Sequence, residues 1–124
     1  MTHSADAESE RLFRAARYAQ FPDVRRAAAA ARFGVSLGAL RRAIRELGLT
    51  CRPRLGDYVL HTLTRGGTVT AGPLPELDSV ARYLDYVNKD GSRPEDVARL
   101  LEELTREGMI ELEGDRWRLL GEFP

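Results

Sequence analysis

Residues 23–48 read DVRRAAAAARFGVSLGALRRAIRELG, and this stretch decides the fold of the N-terminal half of the chain. Its first part is dominated by alanine, the best helix former, and we predict a helix over residues 22–33 with Pro22 in its first turn. Small side chains on this helix let a second helix cross at close range; they are Ala27, Ala28, Ala30 and Ala31. A turn of three residues, Gly34-Val35-Ser36, follows, because glycine adopts the left-handed conformation that ends a helix at little cost.

The second helix of this stretch is predicted over residues 37–47, with Ser36 as its N-cap and Gly48 at its end. Its apolar residues recur at helical spacing and form one stripe that we expect to be buried: Leu37, Leu40, Ile44 and Leu47. The opposite stripe contains Gly38, Arg41, Arg42 and Arg45. Such a helix fits the major groove of DNA, where arginine binds phosphates or guanine edges. The alternative is a solvated face of a helical bundle that binds no nucleic acid.

The net charge of zero hides an uneven distribution of charge along the chain. Residues 11–54 contain eleven arginines and two acidic residues, a net charge of +9, whereas residues 1–10 carry −3 and residues 55–124 carry −6. An excess of this size is difficult to assign to solubility alone and indicates a polyanionic partner. We therefore predict that the N-terminal half binds double-stranded DNA.

The same residues resemble the Fis-type helix-turn-helix of bacterial regulators. The resemblance is carried by residues 30–36 (AARFGVS), 40–42 (LRR) and 45–49 (RELGL). It implies that helix 37–47 is the recognition helix, and that Arg41, Arg42 and Arg45 contact DNA. At residues 37–39 (LGA) such motifs usually carry polar groups that touch bases, so the departure here predicts weak base specificity. The full set of candidate DNA-binding residues is Arg25, Arg26, Ser36, Gly38, Arg41, Arg42, Arg45 and Arg52.

Around this stretch the sequence alternates helical and strand patterns. The predicted elements are helices over 7–20, 55–64, 75–88 and 94–107, a linker over 50–54, a strand over 68–70, and a turn over 71–73. Ser92 and Glu95 are spaced as a capping box at the start of helix 94–107. Two strands over 109–113 and 116–120 flank Gly114-Asp115, which is the pattern of a β-hairpin.

The order of elements after residue 54 resembles a winged-helix domain. The matching segments are 100–111 (LLEELTREGMIE) and 114–119 (GDRWRL), and the resemblance implies a fold rather than a function. The predicted fold class is mainly α: a helix-turn-helix domain at 7–49, then a winged helix at 55–124 with a small β-hairpin wing. Because each part is near the lower size limit for independent folding, the two either fold separately or share one core.

The outward face of helix 94–107 argues against DNA binding by this second domain. Its residues Arg99, Glu102, Glu103 and Arg106 have no net charge, and they are spaced for i,i+4 pairs: Glu95–Arg99, Arg99–Glu103 and Glu102–Arg106. We therefore expect contacts to protein, either a second copy of the chain or another partner, through Tyr83, Tyr86, Glu102 and Glu103. Arg116 and Arg118 on the wing are secondary candidates for phosphate contact, and Trp117 between them is expected to face inward.

No motif in the sequence is typical of an enzyme, so we expect no catalytic residues, no cofactor and no metal site. His61 has no cysteine or acidic cluster at ligand spacing and is interpreted as a surface or core histidine. Cys51 lies next to arginine and is a candidate redox-sensitive thiol, with an incidental thiol as the simpler interpretation. A single cysteine, the absence of a long apolar run and a polar, acidic N-terminus together predict a cytoplasmic protein.

The sequence therefore predicts a small bacterial-type DNA-binding protein, a transcription regulator that reads DNA as a homodimer. Two alternatives stay open. The first is an architectural, chromosome-associated DNA binder with little base specificity. The second is a protein–protein adaptor of the tandem-winged-helix kind, with the acidic helix 94–107 as its docking surface.

Overall fold

The computed structural model describes the backbone of residues 3–123 and their side chains, except those of residues 3–6 and 49. Within this range the chain is mainly helical, with six α-helices and a small antiparallel sheet of three strands. The predicted fold class, mainly α with a small hairpin, is thus confirmed. The chain divides into two compact units, here called unit 1 and unit 2, between Pro53 and Arg54.

Unit 1 contains α1 (His3–Tyr18), α2 (Arg26–Phe33), α3 (Leu37–Leu47) and a short 3-10 helix (Gly48–Cys51). The bounds of α3 are those predicted. Helix α2 begins four residues later than predicted, because the chain first turns around Phe21. The Phe21 amide donates to the Tyr18 carbonyl (3.2 Å), and the Val24 amide donates to the Phe21 carbonyl (3.1 Å). These turns place the Phe21 ring in the core, where it is 2% exposed.

The turn between α2 and α3 has the chemistry that the sequence predicted. Gly34 adopts φ = 66°, in the left-handed region, and the amide of Val35 donates to the carbonyl of Ala30 at 3.0 Å. The hydroxyl of Ser36 accepts a hydrogen bond from the amide of Ala39 at 3.1 Å, which caps α3. The direction of α3 relative to α2 is therefore set by local hydrogen bonds.

The core of unit 1 forms where α1 contacts α2 and α3. Ala15, Ala16 and Ala29 are fully buried, so the helix backbones approach closely. Of the four alanines expected at this crossing, only Ala30 is buried; the other three (Ala27, Ala28 and Ala31) are exposed. The buried side of α2 therefore differs from the predicted one: Ala29 and Ala30 are the buried residues of this helix.

The predicted linker over residues 50–54 belongs largely to unit 1. Thr50 and Cys51 continue the chain as a 3-10 helix directly after α3, and Cys51 and Pro53 are buried. Only two side chains of this short segment reach the core, which is too few to give an apolar pattern that the sequence analysis could detect.

Unit 2 contains α4 (Leu55–Leu63), β1 (Ala71–Pro73), α5 (Leu77–Asn88), α6 (Pro94–Arg106), β2 (Ile110–Glu113) and β3 (Arg116–Leu119). The sheet order is β1-β3-β2, and both pairings are antiparallel. The hairpin of β2 and β3 around Gly114 is confirmed, with Gly114 at φ = 63°. Strand β1 lies three residues beyond the predicted strand, at residues predicted as a turn.

The shift of β1 has its cause in Thr64, at the end of α4. The Thr64 carbonyl accepts hydrogen bonds from the amides of Gly67, Thr68 and Val69. Thr68 and Val69, the first two β-branched residues of the predicted strand, therefore close the helix and are unavailable as a strand. Pairing with β3 begins beyond them, where the Leu119 amide donates to the Thr70 carbonyl at 2.7 Å.

Helices α4 and α6 begin in the same way. The amide of Arg54 donates to the carboxylate of Asp57 (2.8 Å), and that of Arg93 donates to Asp96 (2.9 Å). The capping box expected from Ser92 and Glu95 was therefore displaced by one residue. Ser92 instead donates its hydroxyl proton to Asp90 within the preceding turn (2.6 Å).

The core of unit 2 lies between its helices and one face of the sheet. The buried stripe of α6 is Val97, Leu100, Leu101 and Leu104. As predicted, Trp117 points inward, at 3% exposed. The core also contains Val59, Val80, Leu84 and Ile110. Trp117 is the only tryptophan in the chain, so its fluorescence reports on unit 2 alone.

Candidate nucleic-acid interface

Helix α3 separates an apolar from a basic face in the way the sequence predicted. Leu40 and Ala43 are buried, and Leu37, Ile44 and Leu47 are half-buried. On the other side the four candidate residues, Gly38, Arg41, Arg42 and Arg45, are all exposed. At 3.6 residues per turn these four positions span an arc of about 100°.

The basic face of α3 contains no acidic side chain among its four residues. The first turn of α3 holds no acidic residue either, and Arg45 lies in its last turn. Three guanidinium groups, each with five N–H donors, therefore point away from unit 1 within about two helical turns. This arrangement suits a surface that presents several anionic groups at regular spacing.

A second basic group lies at the start of α2. Arg25 occupies the N-cap position, no side chain caps the helix there, and its first turn contains Arg26 but no acidic residue. Helix N-termini carry partial positive charge and usually attract acidic residues, so two arginines at this end reverse the usual preference. Such an end binds anions through its backbone amides and its side chains together.

The other two candidates are placed differently. The oxygen of Ser36 accepts from the Ala39 amide, so only its O–H remains to donate to a ligand. Arg52 is exposed but follows the 3-10 helix rather than lying on α3. The structure thus groups four of the eight candidates on one face of α3 and two at the start of α2.

Part of the basic charge of unit 1 is used for packing, which the sequence analysis missed. Three guanidinium groups lie over aromatic rings: Arg14 over Phe33 (5.5 Å), Arg17 over Phe13 (5.1 Å) and Arg32 over Tyr18 (4.9 Å). Arg32 also donates to the Tyr18 hydroxyl at 3.4 Å. Only the Phe13–Arg17 contact could have been predicted from the sequence, by the i,i+4 spacing of the two residues within α1. The other two contacts join α1 to α2.

The outward face of the sheet in unit 2 is electrically compensated. The register sets Arg118 opposite Glu111 and Arg116 opposite Glu113. Arg118 donates to the carboxylate of Glu111 at 2.8 Å. The two arginines that the sequence offered for phosphate contact are therefore each set against a glutamate on the neighbouring strand.

Helix α6 pairs its charges differently from the prediction. Arg99 contacts Asp96 at 3.1 Å, an i,i+3 pair, instead of Glu95 or Glu103. One carboxylate oxygen of Asp96 accepts from the Arg93 amide, and the other accepts from the Arg99 guanidinium group. Glu102 is exposed and Glu103 is half-buried, so this face still presents carboxylates to the solvent.

The two tyrosines expected at a protein interface differ in environment. The ring of Tyr83 is half-buried and lies 6.5 Å from that of Tyr58, centroid to centroid. Tyr86, one turn further along α5, is 77% exposed. Tyr83 thus contributes to packing within unit 2, and Tyr86 is the one that a partner can reach.

Cys51 and His61, which the sequence analysis considered as a redox-sensitive thiol and as a surface or core histidine, are both buried. Cys51 and His61 are 0% and 3% exposed. Burial of the sulfur removes the access to oxidants that a redox-sensitive thiol needs, so that interpretation of Cys51 was wrong. His61 belongs to the core of α4.

Within residues 3–123, no helix combines the length and the apolar character needed to cross a membrane. Comparisons with family models, with curated proteins and with solved structures return no match to this chain.

Proposed function

We propose that the protein binds double-stranded DNA through unit 1, with α3 in the major groove. The observation that carries this proposal is the exposed face of α3, where Arg41, Arg42 and Arg45 lie opposite a buried apolar stripe. The α2–turn–α3 geometry supports it, because the second helix of a helix-turn-helix presents its outward face to base edges.

In this proposal the two basic groups have different tasks. The start of α2, with Arg25 and Arg26, binds backbone phosphate through side chains and free amide groups, and so positions the protein. The arginines of α3 reach into the groove, where a bidentate contact to guanine discriminates by about 1–3 kcal/mol. Guanine-containing sites are therefore the preferred targets.

The test measures binding of the full chain to a fluorescently labelled duplex by anisotropy over a series of salt concentrations. The R41A/R42A/R45A variant is compared with R93A/R106A/R116A, which removes the same charge from exposed positions of unit 2. We expect the first variant to lose affinity by about 1–3 kcal/mol for each guanine contact removed. Its slope of log K against log salt should fall by about 0.9 for each of the three arginines that contacts a phosphate instead. Equal binding by both variants would contradict the proposal.

We further propose that DNA binding serves transcription regulation in the cytoplasm of a bacterial-type cell. Selection from random duplexes, followed by sequencing of the bound fraction, separates this role from an architectural one. A regulator enriches a defined site; an architectural protein enriches none. The lack of polar side chains at Leu37, Gly38 and Ala39 favours modest selectivity, with the arginines as the main source of preference.

Unit 2 is proposed to contact protein rather than DNA. Its element order and its β1-β3-β2 sheet support the winged-helix interpretation, and its basic wing residues face glutamates. The exposed ring of Tyr86 is the residue type that protein interfaces favour at their centre. A second copy of the chain is the partner proposed here, since two linked half-sites add their binding energy.

A further inference from the structure

Gly38 is a glycine that unit 1 does not require. It lies in the first turn of α3, exposed, and a Cβ atom built on it would meet no atom within 4 Å. Gly34 and Gly48 differ, because their φ angles of 66° and 50° lie in the region that favours glycine. Gly56 in α4 also differs, since a Cβ atom there would lie 3.3 Å from Leu104.

A helical glycine without such a reason is a disadvantage for the fold. Glycine is less favourable than alanine by up to about 1 kcal/mol, the value for a helix interior, because its backbone loses more freedom on folding. The fold of unit 1 thus gains nothing from Gly38, yet the residue is on the same stripe as Arg41, Arg42 and Arg45.

We propose that Gly38 is the point at which DNA lies in van der Waals contact with the backbone of α3. Glycine serves elsewhere as the residue that allows a ligand to approach the main chain closely. This inference rests on the proposed function and adds to it how deeply the helix is seated. The residue at position 38 determines how deeply α3 enters the major groove, and this depth determines which groups Arg41, Arg42 and Arg45 reach.

The geometry of the stripe explains why the absence of a side chain matters here. Arg41 and Arg42 follow Gly38 by three and four residues, about 4.5–6 Å along the helix axis. A methyl group at position 38 moves the start of α3 outward, and the guanidinium groups one turn away move with it. Short side-chain contacts to the groove floor then lengthen or break.

The experiment compares the wild-type full chain with Gly38→Ala and Gly38→Leu in the anisotropy assay, together with thermal unfolding of each. We expect Gly38→Ala to raise the unfolding midpoint by about 2–5 °C, while DNA affinity falls about tenfold, equivalent to about 1.4 kcal/mol. Gly38→Leu should weaken binding further. Because the alanine variant is expected to be more stable, a loss of affinity cannot come from misfolding.

Two other outcomes overturn the inference in distinguishable ways. If the wild type binds duplex and the arginine triple variant does not, but Gly38→Ala binds as well as wild type or better, DNA does not approach this position. If the wild type binds no duplex at low salt, the proposed function fails, and this inference fails with it.

Discussion

The side-chain amide of Gln20 donates a hydrogen bond to the thiol sulfur of Cys51, 31 residues further along the chain, at 2.9 Å. The thiol also donates to the carbonyl of Gly48 at 3.4 Å. These bonds join the end of the first helix region to the 3-10 helix that follows α3. Since Cys51 is the only cysteine and is fully buried, it reports on whether unit 1 is folded.

The thiol of Cys51 is expected to resist modification in the native protein. A thiol without solvent contact reacts with Ellman's reagent only when the structure opens, so native labelling should be slow and labelling in denaturant immediate. The Thr50→Cys variant is the matched control, because residue 50 is exposed and its added thiol should react at once. Rapid reaction of the wild-type protein would show that Cys51 is not buried.

Loss of the Arg32 side chain is expected to destabilise unit 1. Its guanidinium group covers the ring of Tyr18 and donates to its hydroxyl, which predicts a loss of about 0.5–1 kcal/mol for Arg32→Ala in urea unfolding. Arg26→Ala, at the other end of α2, is the control; it should be neutral or slightly stabilising, because it removes a cation from a helix N-terminus. Equal losses in both variants would contradict the ring contact.

The hydroxyl of Thr64 is expected to stabilise unit 2. It donates to the Leu60 carbonyl at 2.7 Å, accepts from the Gly67 amide at 3.0 Å, and is fully buried. Thr64→Val keeps the shape and should lower the free energy of unfolding by about 1–2 kcal/mol, measured by Trp117 fluorescence. Thr62→Val is the control, since that half-buried hydroxyl only donates to the Tyr58 carbonyl. A neutral Thr64→Val would mean that the backbone alone holds this turn.

The two arginines of the β2–β3 hairpin, Arg116 and Arg118, are expected to make no contribution to DNA binding. Arg116 and Arg118 face Glu113 and Glu111 in register, so an approaching phosphate meets no net positive charge. The R116A/R118A variant of the full chain should match wild type in both duplex affinity and salt dependence. A smaller slope of log K against log salt for this variant would show that the β2–β3 hairpin contacts DNA.

Self-association is expected to depend on Tyr86. We predict that the wild type sediments as a dimer at micromolar concentrations and that Tyr86→Ser is monomeric, because an exposed aromatic at an interface centre contributes strongly to binding. Tyr83→Phe, which keeps the ring beside Tyr58, should remain dimeric. A wild-type chain that is monomeric with and without duplex would exclude the dimer and favour the adaptor alternative.

Features set by residues close together in the sequence could be predicted, whereas features set by residues far apart in the sequence could not. Helix α3 was predicted to the residue because Ser36, Gly48 and the apolar stripe are all local signals. Strand β1 was misplaced because its pairing partner, β3, lies far along the sequence. The exposed basic face was predicted from spacing. Arg14 and Arg32 were counted only in the net charge of residues 11–54, and their ring contacts were missed because the aromatic partners belong to other helices.

The position of β3 in the sheet has a consequence for the order in which the chain folds. Strand β3 lies between β1 and β2, and it follows every other element of unit 2 in the sequence. During synthesis neither partner strand has its central neighbour until Leu119 has left the ribosome, whereas the contacts of unit 1 are complete once Pro53 has emerged. Unit 1, the basic part of the chain, is thus able to fold first, whereas the sheet of unit 2 is complete only after β3 has emerged.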